Sequence, residues 1–232
     1  MNVVYEDNHI IIVNKKSGEI VQGDKTGDTP LSETVKQYIK EKYQKPGEVF
    51  LGVPHRLDRP VSGLVVLART SKALARLNAM FAAGEVHKTY WAIVEKREHS
   101  TLYTLHSTLL THWLTRNEQQ NKSYAYDHEV PRSKMAQLRY RVLVEGEHYD
   151  LVEVELLTGR HHQIRCQLAA IGCPIRGDLK YGARRSNPDG SISLLARRVT
   201  FIHPVSKADI CVEAPLPDDP LWEKLLYCKP SS

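Results

Sequence analysis

Two short apolar runs open the chain, Val3 to Tyr5 and His9 to Asn14, separated by the polar stretch Glu6-Asp7-Asn8; they predict a pair of strands. Ser17 to Asp28 is rich in glycine and charge and predicts a loop. Leu31, Val35 and Ile39 then recur every four residues, which places them along one side of a helix and predicts a buried stripe. Thr29 is a candidate cap, Pro30 suits the first turn because its missing donor costs nothing there, and Lys45-Pro46-Gly47 ends the element. The unbroken run Leu64 to Leu67 predicts a central strand over Gly63 to Arg69. Leu74, Leu77 and Phe81 share a face of a second predicted helix, with Ser71 as its cap and Gly84 as its terminator. Thr89 to Val94 returns as a strand.

Thr115 to Arg132 is polar and lacks a clear period, and reads as a long insertion or arm, mobile when free. Met135 to Val144 and Tyr149 to Leu157 predict a hairpin around Glu145-Gly146-Glu147. A third helix is expected after Thr158-Gly159, with Ile164, Leu168 and Ile171 inward, and the last strands at Ile192 to Ile202 and Ile210 to Val212. Pro215 and Pro217 then close the regular part of the fold. Helices interrupting mainly antiparallel strands define an α+β class. No internal repeat or linker demands a boundary, so residues 1–232 read as a single domain, built as one body or as two lobes sharing one sheet.

At 232 residues, 41% hydrophobic and 25% charged, the chain has ample material for a core. No apolar run reaches the roughly 18–20 residues needed to cross a bilayer. Two lysines follow the first apolar runs instead of preceding them, the reverse of a secretory signal, so a cytoplasmic location with no membrane partner is the expectation. Cys166, Cys173, Cys211 and Cys228 form no CxxC pair, which argues against a zinc site, a dithiol centre or a disulfide framework. The net charge of +5 matters less than its placement. Leu157 to Arg185 holds six basic residues (Arg160, Arg165, Arg176, Lys180, Arg184, Arg185) against one acid, Asp178, whereas Asp209 to Glu223 reverses the balance. A phosphate-facing surface has this pattern, and so does a solvated basic face.

Two polar clusters stand out. His55-Arg56-Leu57-Asp58-Arg59-Pro60 precedes a strongly apolar strand, so the carboxylate of Asp58 would sit on a rigid mount yet face solvent. Arg56 and Arg59 suit a phosphate, a base face or a salt bridge with Asp58; an ordinary charged turn would read the same way. In Leu157-Thr158-Gly159-Arg160-His161-His162-Gln163-Ile164-Arg165, His161 and Arg165 would share a side once the segment is helical. Arg165 lies beside an apolar stripe, and a partly buried guanidinium needs a carboxylate, for which Asp58 is the long-range candidate. An incidental surface arginine is the bland alternative. His162 and Cys166 could share a face, but no further ligands have metal spacing. His55 and Asp58 lack an accompanying GxSxG serine, and the glycines form neither a P-loop nor a dinucleotide fingerprint. In Lys88-Thr89-Tyr90, the tyrosine could stack on a base and the lysine could touch phosphate; packing at a sheet edge is the competing account.

Taken in order, these segments resemble the RluA family of RNA pseudouridine synthases over roughly Val4 to Pro217. The motifs are IIIVNKKSG near the start, HRLDRPVSGLVVLA at residues 55–68, KTYWAIV at 88–94, LTGRHHQIRCQLAAIGCPIRGDLKYG at 157–182 and FIHPVSK at 201–207. The resemblance implies a pseudouridine synthase core with an extended mixed, mainly antiparallel sheet and a central cleft for RNA. It also implies isomerisation of uridine within RNA, with Asp58 as the essential carboxylate, Tyr90 beside the target base and Arg165 paired with and orienting the acid. Arg56 matches the residue that enters the RNA stack, and Leu157 an apolar residue of the pocket. His55, Arg59, Lys88, Arg160, His162 and Gln163 complete the candidate substrate contacts.

The sequence departs from the family pattern at Val61, where Thr is usual, at His161, and at Leu195 within what often reads LHA. None of these removes the Asp, Tyr or Arg. No S4 RNA-binding module precedes the core, so the catalytic domain is expected to supply most of its own RNA affinity. The implied substrate is large-subunit ribosomal RNA, with transfer RNA as the alternative; no cofactor, metal or obligate protein partner is implied.

Overall fold

The computed structural model describes residues 1–23, 27–96 and 107–227, leaving Cys228 and part of the Ser17 to Asp28 loop outside the described residues. The strands are β1 (Asn2–Glu6), β2 (Ile10–Lys15), β3 (Ser62–Ala68), β4 (His87–Glu95), β5 (Thr108–Asn117), β6 (Lys122–Tyr126), β7 (Lys134–Val144), β8 (Tyr149–Leu156), β9 (Leu194–Ile202) and β10 (Asp209–Glu213). The helices are α1 (Leu31–Lys42), α2 (Ser71–Ala83), α3 (Gln163–Ala170) and α4 (Pro220–Tyr227), with a 3-10 turn at Leu179–Tyr181. They divide into two units, Met1–Lys88 with Ala196–Pro215, and Thr89–Leu195 with Leu216–Ser232.

In the first unit the strands lie in the order β1-β2-β3-β9, with β10 paired to β9. β2 runs antiparallel to β1 and to β3, in register from Ile10 opposite Ala68 to Lys15 opposite Gly63. Ile10 to Val13 are all buried, which explains a continuous apolar run in place of the alternation of a one-sided strand. The stripe of α1 (Leu31, Val35, Ile39) packs on Ile11, Val13, Val65 and Leu67, each such side chain contributing about 1.5–3 kcal/mol over its exposed state. The caps differ from expectation. Pro30, not Thr29, precedes the first helical residue, and no side chain caps α1. Its first amides instead donate to the loop carbonyls, Leu31 to Ile20 and Ser32 to Val21, at 2.7 and 3.1 Å. On α2 the cap is Thr70, whose hydroxyl accepts from the Ala73 amide at 3.1 Å, and Gly84 ends the helix in the left-handed conformation as expected. The FIHPVSK motif anchors the β1–β2 turn: buried His203 accepts the Val205 and Ser206 amides on Nδ1 and places Nε2 2.8 Å from Asp7. Asp7 itself accepts the amides of His9 and Ile10.

The second unit orders its strands β4-β8-β7-β5-β6. β4 with β8, β8 with β7, β7 with β5 and β5 with β6 are all antiparallel, the β7–β8 hairpin as expected. The Thr115 to Arg132 region is not an irregular arm: β5 and β6 form a hairpin from Trp113 opposite Tyr126 to Asn117 opposite Lys122. Its apolar alternation is broken because two of its inward positions, His112 and Ser123, are polar. His112 Nδ1 meets Gln167 of α3 at 3.0 Å, and Leu114 and Ala136 pack with Cys166 and Tyr181. Regular structure also outlasts Pro217, because α4 buries Trp222 and Leu225.

Candidate active site

Asp58 sits half-buried at the head of a turn closed by the Val61 amide donating to the Asp58 carbonyl at 3.1 Å. The carbonyls that follow are tied to the NKKSG segment. Lys15, 0% exposed, donates from Nζ to the carbonyls of Lys16 (2.9 Å), Arg59 (3.1 Å) and Val61 (2.6 Å). The Gly18 amide also donates to Arg59 O, and the Ser17 hydroxyl donates to Pro60 O. Burial pulls the Lys15 pKa down to about 8 against the opposing attraction of Glu19 and Asp58. One buried ammonium thus fixes both ends of the peptide stretch that leads from the carboxylate into β3. Gly63 makes the exit feasible, since at φ +114 an added Cβ would lie 2.4 Å from the Ala196 carbonyl oxygen. Val61, the first departure from the family pattern, is buried.

The neighbours of Asp58 separate into framework and surface. His55 Nε2 accepts the Val66 amide at 2.9 Å, so its imidazole extends the hydrogen bonding of β3, and its ring packs 4.7 Å from Phe81. Burial, helped by the Lys88 ammonium, pushes the His55 pKa down to about 3. Lys88 Nζ lies 5.4 Å from the centre of the Phe81 ring, and burial lowers its pKa as well. Arg59 donates to Asp28 at 2.6 Å. Arg56 is exposed.

In the second unit, Tyr90 lies on β4 opposite Val154 and is buried. Arg165 is 5% and Asp178 1% exposed, and they form a two-pronged pair: Nε to Oδ2 at 2.6 Å and Nη2 to Oδ1 at 2.8 Å. The Tyr181 ring packs 5.1 Å from the same guanidinium. One carboxylate partner of Arg165 therefore lies inside the LTGR–KYG segment itself, at Asp178, a residue not among the expected site residues. The helix also starts later than expected. His162 adopts φ 52 just before α3 begins at Gln163, so His161 and Arg165 are not stacked one turn apart. His161 instead turns to β6 and its hairpin, with Nδ1 2.9 Å from Ser123 Oγ and Nε2 3.0 Å from Asn121 Oδ1.

Gln163 braces the turn: Oε1 accepts from Thr158 and the Arg160 amide, and Nε2 donates to the Gln137 carbonyl. His162 is buried against the Tyr181 hydroxyl at 2.9 Å; burial, then the positive charge of Arg165, takes its pKa down to about 2. These atoms of Gln163 and His162, expected at the RNA, are engaged within the fold. Leu157 is 42% exposed and Arg160 is exposed, its Nε on the Met135 carbonyl. The basic run is likewise divided. Arg176 pairs with Asp219 of the acidic tail, Lys180 with the carbonyls of Gln120 and Asn121, and the exposed Arg184 with buried Glu95 at 4.0 Å, while Arg185 faces solvent. Among the described residues no group of three His, Cys, Asp or Glu side chains could hold a metal, and no helix is long and apolar enough to cross a membrane.

Known structures share this architecture. Human RNA Pseudouridylate Synthase Domain Containing 4 superposes with a TM-score of 0.75 at 22% identity, covering 94% of this chain and 89% of that one. The fold is the α+β pseudouridine synthase fold, with a mixed, mainly antiparallel sheet. The sequence pattern described as RNA pseudouridylate synthase matches residues 9–170. Ribosomal large subunit pseudouridine synthase C of Vibrio cholerae is 30% identical over 220 residues, 92% of this chain and 65% of that protein. An uncharacterized RNA pseudouridine synthase of Bacillus subtilis is 32% identical over 223 residues, 94% and 70% of the two lengths. The chain belongs to the RNA pseudouridylate synthase family and carries its catalytic domain. It spans about two thirds of the length of these two relatives.

Proposed function

We propose that this protein isomerises uridine to pseudouridine in large-subunit ribosomal RNA, with Asp58 acting at the ribose of the target. The observation that carries the reading is the mount of Asp58: a half-buried carboxylate on a turn held by a fully buried lysine and followed by a buried strand. Chemistry at a sugar carbon depends on this kind of placement, since a reacting group held in near-attack geometry spares several kcal/mol of the barrier. The choice of ribosomal RNA is supported by the similarity to the ribosomal large subunit pseudouridine synthase C of Vibrio cholerae.

The reaction breaks the bond between C1′ of the ribose and N1 of uracil, turns the base, and joins C5 to C1′. In the proposed route the Asp58 carboxylate removes the 2′ hydrogen as the C1′–N1 bond breaks, giving a glycal and the uracil anion. It returns that proton to C2′ as C5 joins C1′, and the C5 proton then passes to solvent while N1 takes one up. Tyr90 and Arg165 take the roles at the base and as the site's cation that the resemblance assigns. Unstacking the target uridine costs a few kcal/mol, which the exposed Arg56 side chain would offset by entering the vacated stack.

The test is to react the purified protein separately with unmodified ribosomal and transfer RNA and to map pseudouridines by carbodiimide-dependent reverse-transcription stops. New stops in the large-subunit RNA, abolished by Asp58→Asn, are expected. Modification of transfer RNA alone overturns the substrate assignment, and full activity of Asp58→Asn overturns the mechanism.

A further inference from the structure

The guanidinium of Arg165 has a wall as well as a partner. Asp178 takes Nε and Nη2, and the Tyr181 ring stands 5.1 Å from the guanidinium carbon. Packing confines a core tyrosine to one rotamer well, and here the hydroxyl is held from two sides as well. It accepts the backbone amide of Ser123 on β6 at 2.8 Å and lies 2.9 Å from His162 Nδ1. With His162 neutral far below physiological pH, the tautomer protonated on Nε2 lets Nδ1 accept, and in it the hydroxyl is the donor between them. The strut therefore runs in one sense, from the Ser123 amide through the tyrosine oxygen to the imidazole.

The surroundings hold both ends of this strut. His162 occupies the left-handed region at φ 52, an uncommon state for a side-chain-bearing residue, and that conformation turns its ring toward Tyr181 instead of along the helix. Its other face stacks on His161 at 3.8 Å. Ser123 is buried, and its hydroxyl donates to the His161 carbonyl at 2.7 Å. Cys166 of α3 closes the group by donating to the Ser123 carbonyl at 3.3 Å. The hairpin β5–β6 thus reaches Arg165 through one aromatic ring.

We propose that Tyr181 is a positioning residue for Arg165: the Ser123–Tyr181–His162 strut sets the plane of the ring, and the ring with Asp178 sets the direction of the guanidinium. This rests on the reading of Arg165 as a cation of the active site. Two consequences separate it from a simple packing role. Removing only the hydroxyl keeps the ring and its volume yet frees its plane, so turnover should suffer while RNA affinity does not. The loss should also vanish where Arg165 no longer has a fork to orient.

The experiment compares the full chain with Tyr181→Phe, Arg165→Lys and the double variant, measuring single-turnover pseudouridine formation at saturating RNA, RNA affinity and thermal unfolding of each. Tyr181→Phe should slow the single-turnover step about tenfold, the equivalent of one well-placed hydrogen bond, with RNA affinity within about twofold of the wild type. In the Arg165→Lys background the same change should add less than about twofold, the non-additivity expected of residues acting through one group. Tyr181→Phe with a wild-type rate, or rate losses that multiply fully in the double variant, would overturn the positioning role. A wild-type rate in Arg165→Lys would instead remove the reading of Arg165 itself.

Discussion

Lys15→Met should uncouple stability from activity, and the sizes of the opposing effects follow from the environment of one ammonium group. The side chain is fully buried and its pKa falls from 10.5 to about 8. A shift of that size means that the folded state disfavours the charged lysine by about 3 kcal/mol relative to the unfolded chain. Met removes that penalty while filling similar space. Against this stands the loss of three hydrogen bonds. Arg59 O keeps the Gly18 amide and Lys16 O lies nearer solvent, so the main cost is the orphaned Val61 carbonyl, at about 1–3 kcal/mol. The net change in unfolding free energy at pH 7 should therefore be within about 2 kcal/mol of zero. The rate should respond differently. With Arg59 and Val61 no longer drawn to one point, the carboxylate of Asp58 loses its mount, and a displacement near 1 Å is worth about 100-fold in the chemical step. The sign of the pH dependence gives a second check. The depressed pKa leaves the lysine's contribution least favourable below about pH 8, and stability recovers as pH rises from 8 toward 10.5. Urea unfolding at pH 7 and pH 9.5, with single-turnover kinetics on the same preparations, tests both parts. The wild type should gain stability relative to Lys15→Met between those pH values. A variant that unfolds several kcal/mol early yet turns over normally would refute the reasoning, because Lys15 would then be a stability residue with no hold on Asp58.

Three further outcomes follow from the same geometry. Asp178→Ala leaves the Arg165 guanidinium without its two-pronged partner in a buried setting and should cost about 3–5 kcal/mol in urea unfolding; a loss under 1 kcal/mol would mean that the pair is solvated. Gly63→Ala should cost about 1–3 kcal/mol and lower the melting temperature, since its Cβ would press on the Ala196 backbone at positive φ, and an unchanged melt would contradict that close approach. His162 has a folded pKa of about 2 against 6.5 when free, so stability is intact above pH 6.5 and falls as pH drops, by about 1.4 kcal/mol per unit for this group. The urea midpoint followed from pH 7 to 4.5 should show that slope in the wild type and a shallower one in His162→Asn; equal slopes would show that His162 protonates freely in the fold.

Where a segment's burial matched its local period, its structure was legible in the sequence. The four-residue recurrence of Leu31, Val35 and Ile39 is the buried face of α1, and the run Leu64 to Leu67 is a strand covered on both sides. Legibility failed where polar residues face inward. His112 and Ser123 erase the alternation of β5 and β6 because each meets a polar partner, Gln167 and the His161–Tyr181 pair, that lies far away in the chain. The start of α3 failed for a related reason: no propensity announces a histidine at positive φ, and the conformation is explained by the ring it turns toward Tyr181.

The same distinction runs through the functional residues. Asp58 could be marked from its flanking arginines and the apolar strand after it, but not the manner of its support, which comes from Lys15, 44 residues earlier than the Arg59 carbonyl it binds. One signal was present: the lysine at the end of IIIVNK continues a strand that opens with four buried apolar residues, and a buried ammonium must satisfy all three donors. Asp178 carried a comparable signal as the only acid among six basic residues between Leu157 and Arg185. In both cases a charge out of keeping with its surroundings marks a group that holds a neighbour: Lys15 the Arg59 and Val61 carbonyls, Asp178 the Arg165 guanidinium. The length of the motifs follows the same pattern: NKKSG and the Pro60–Gly63 exit supply the contacts around the Asp58 turn, and the Asp178–Tyr181 turn supplies those around the Arg165 guanidinium.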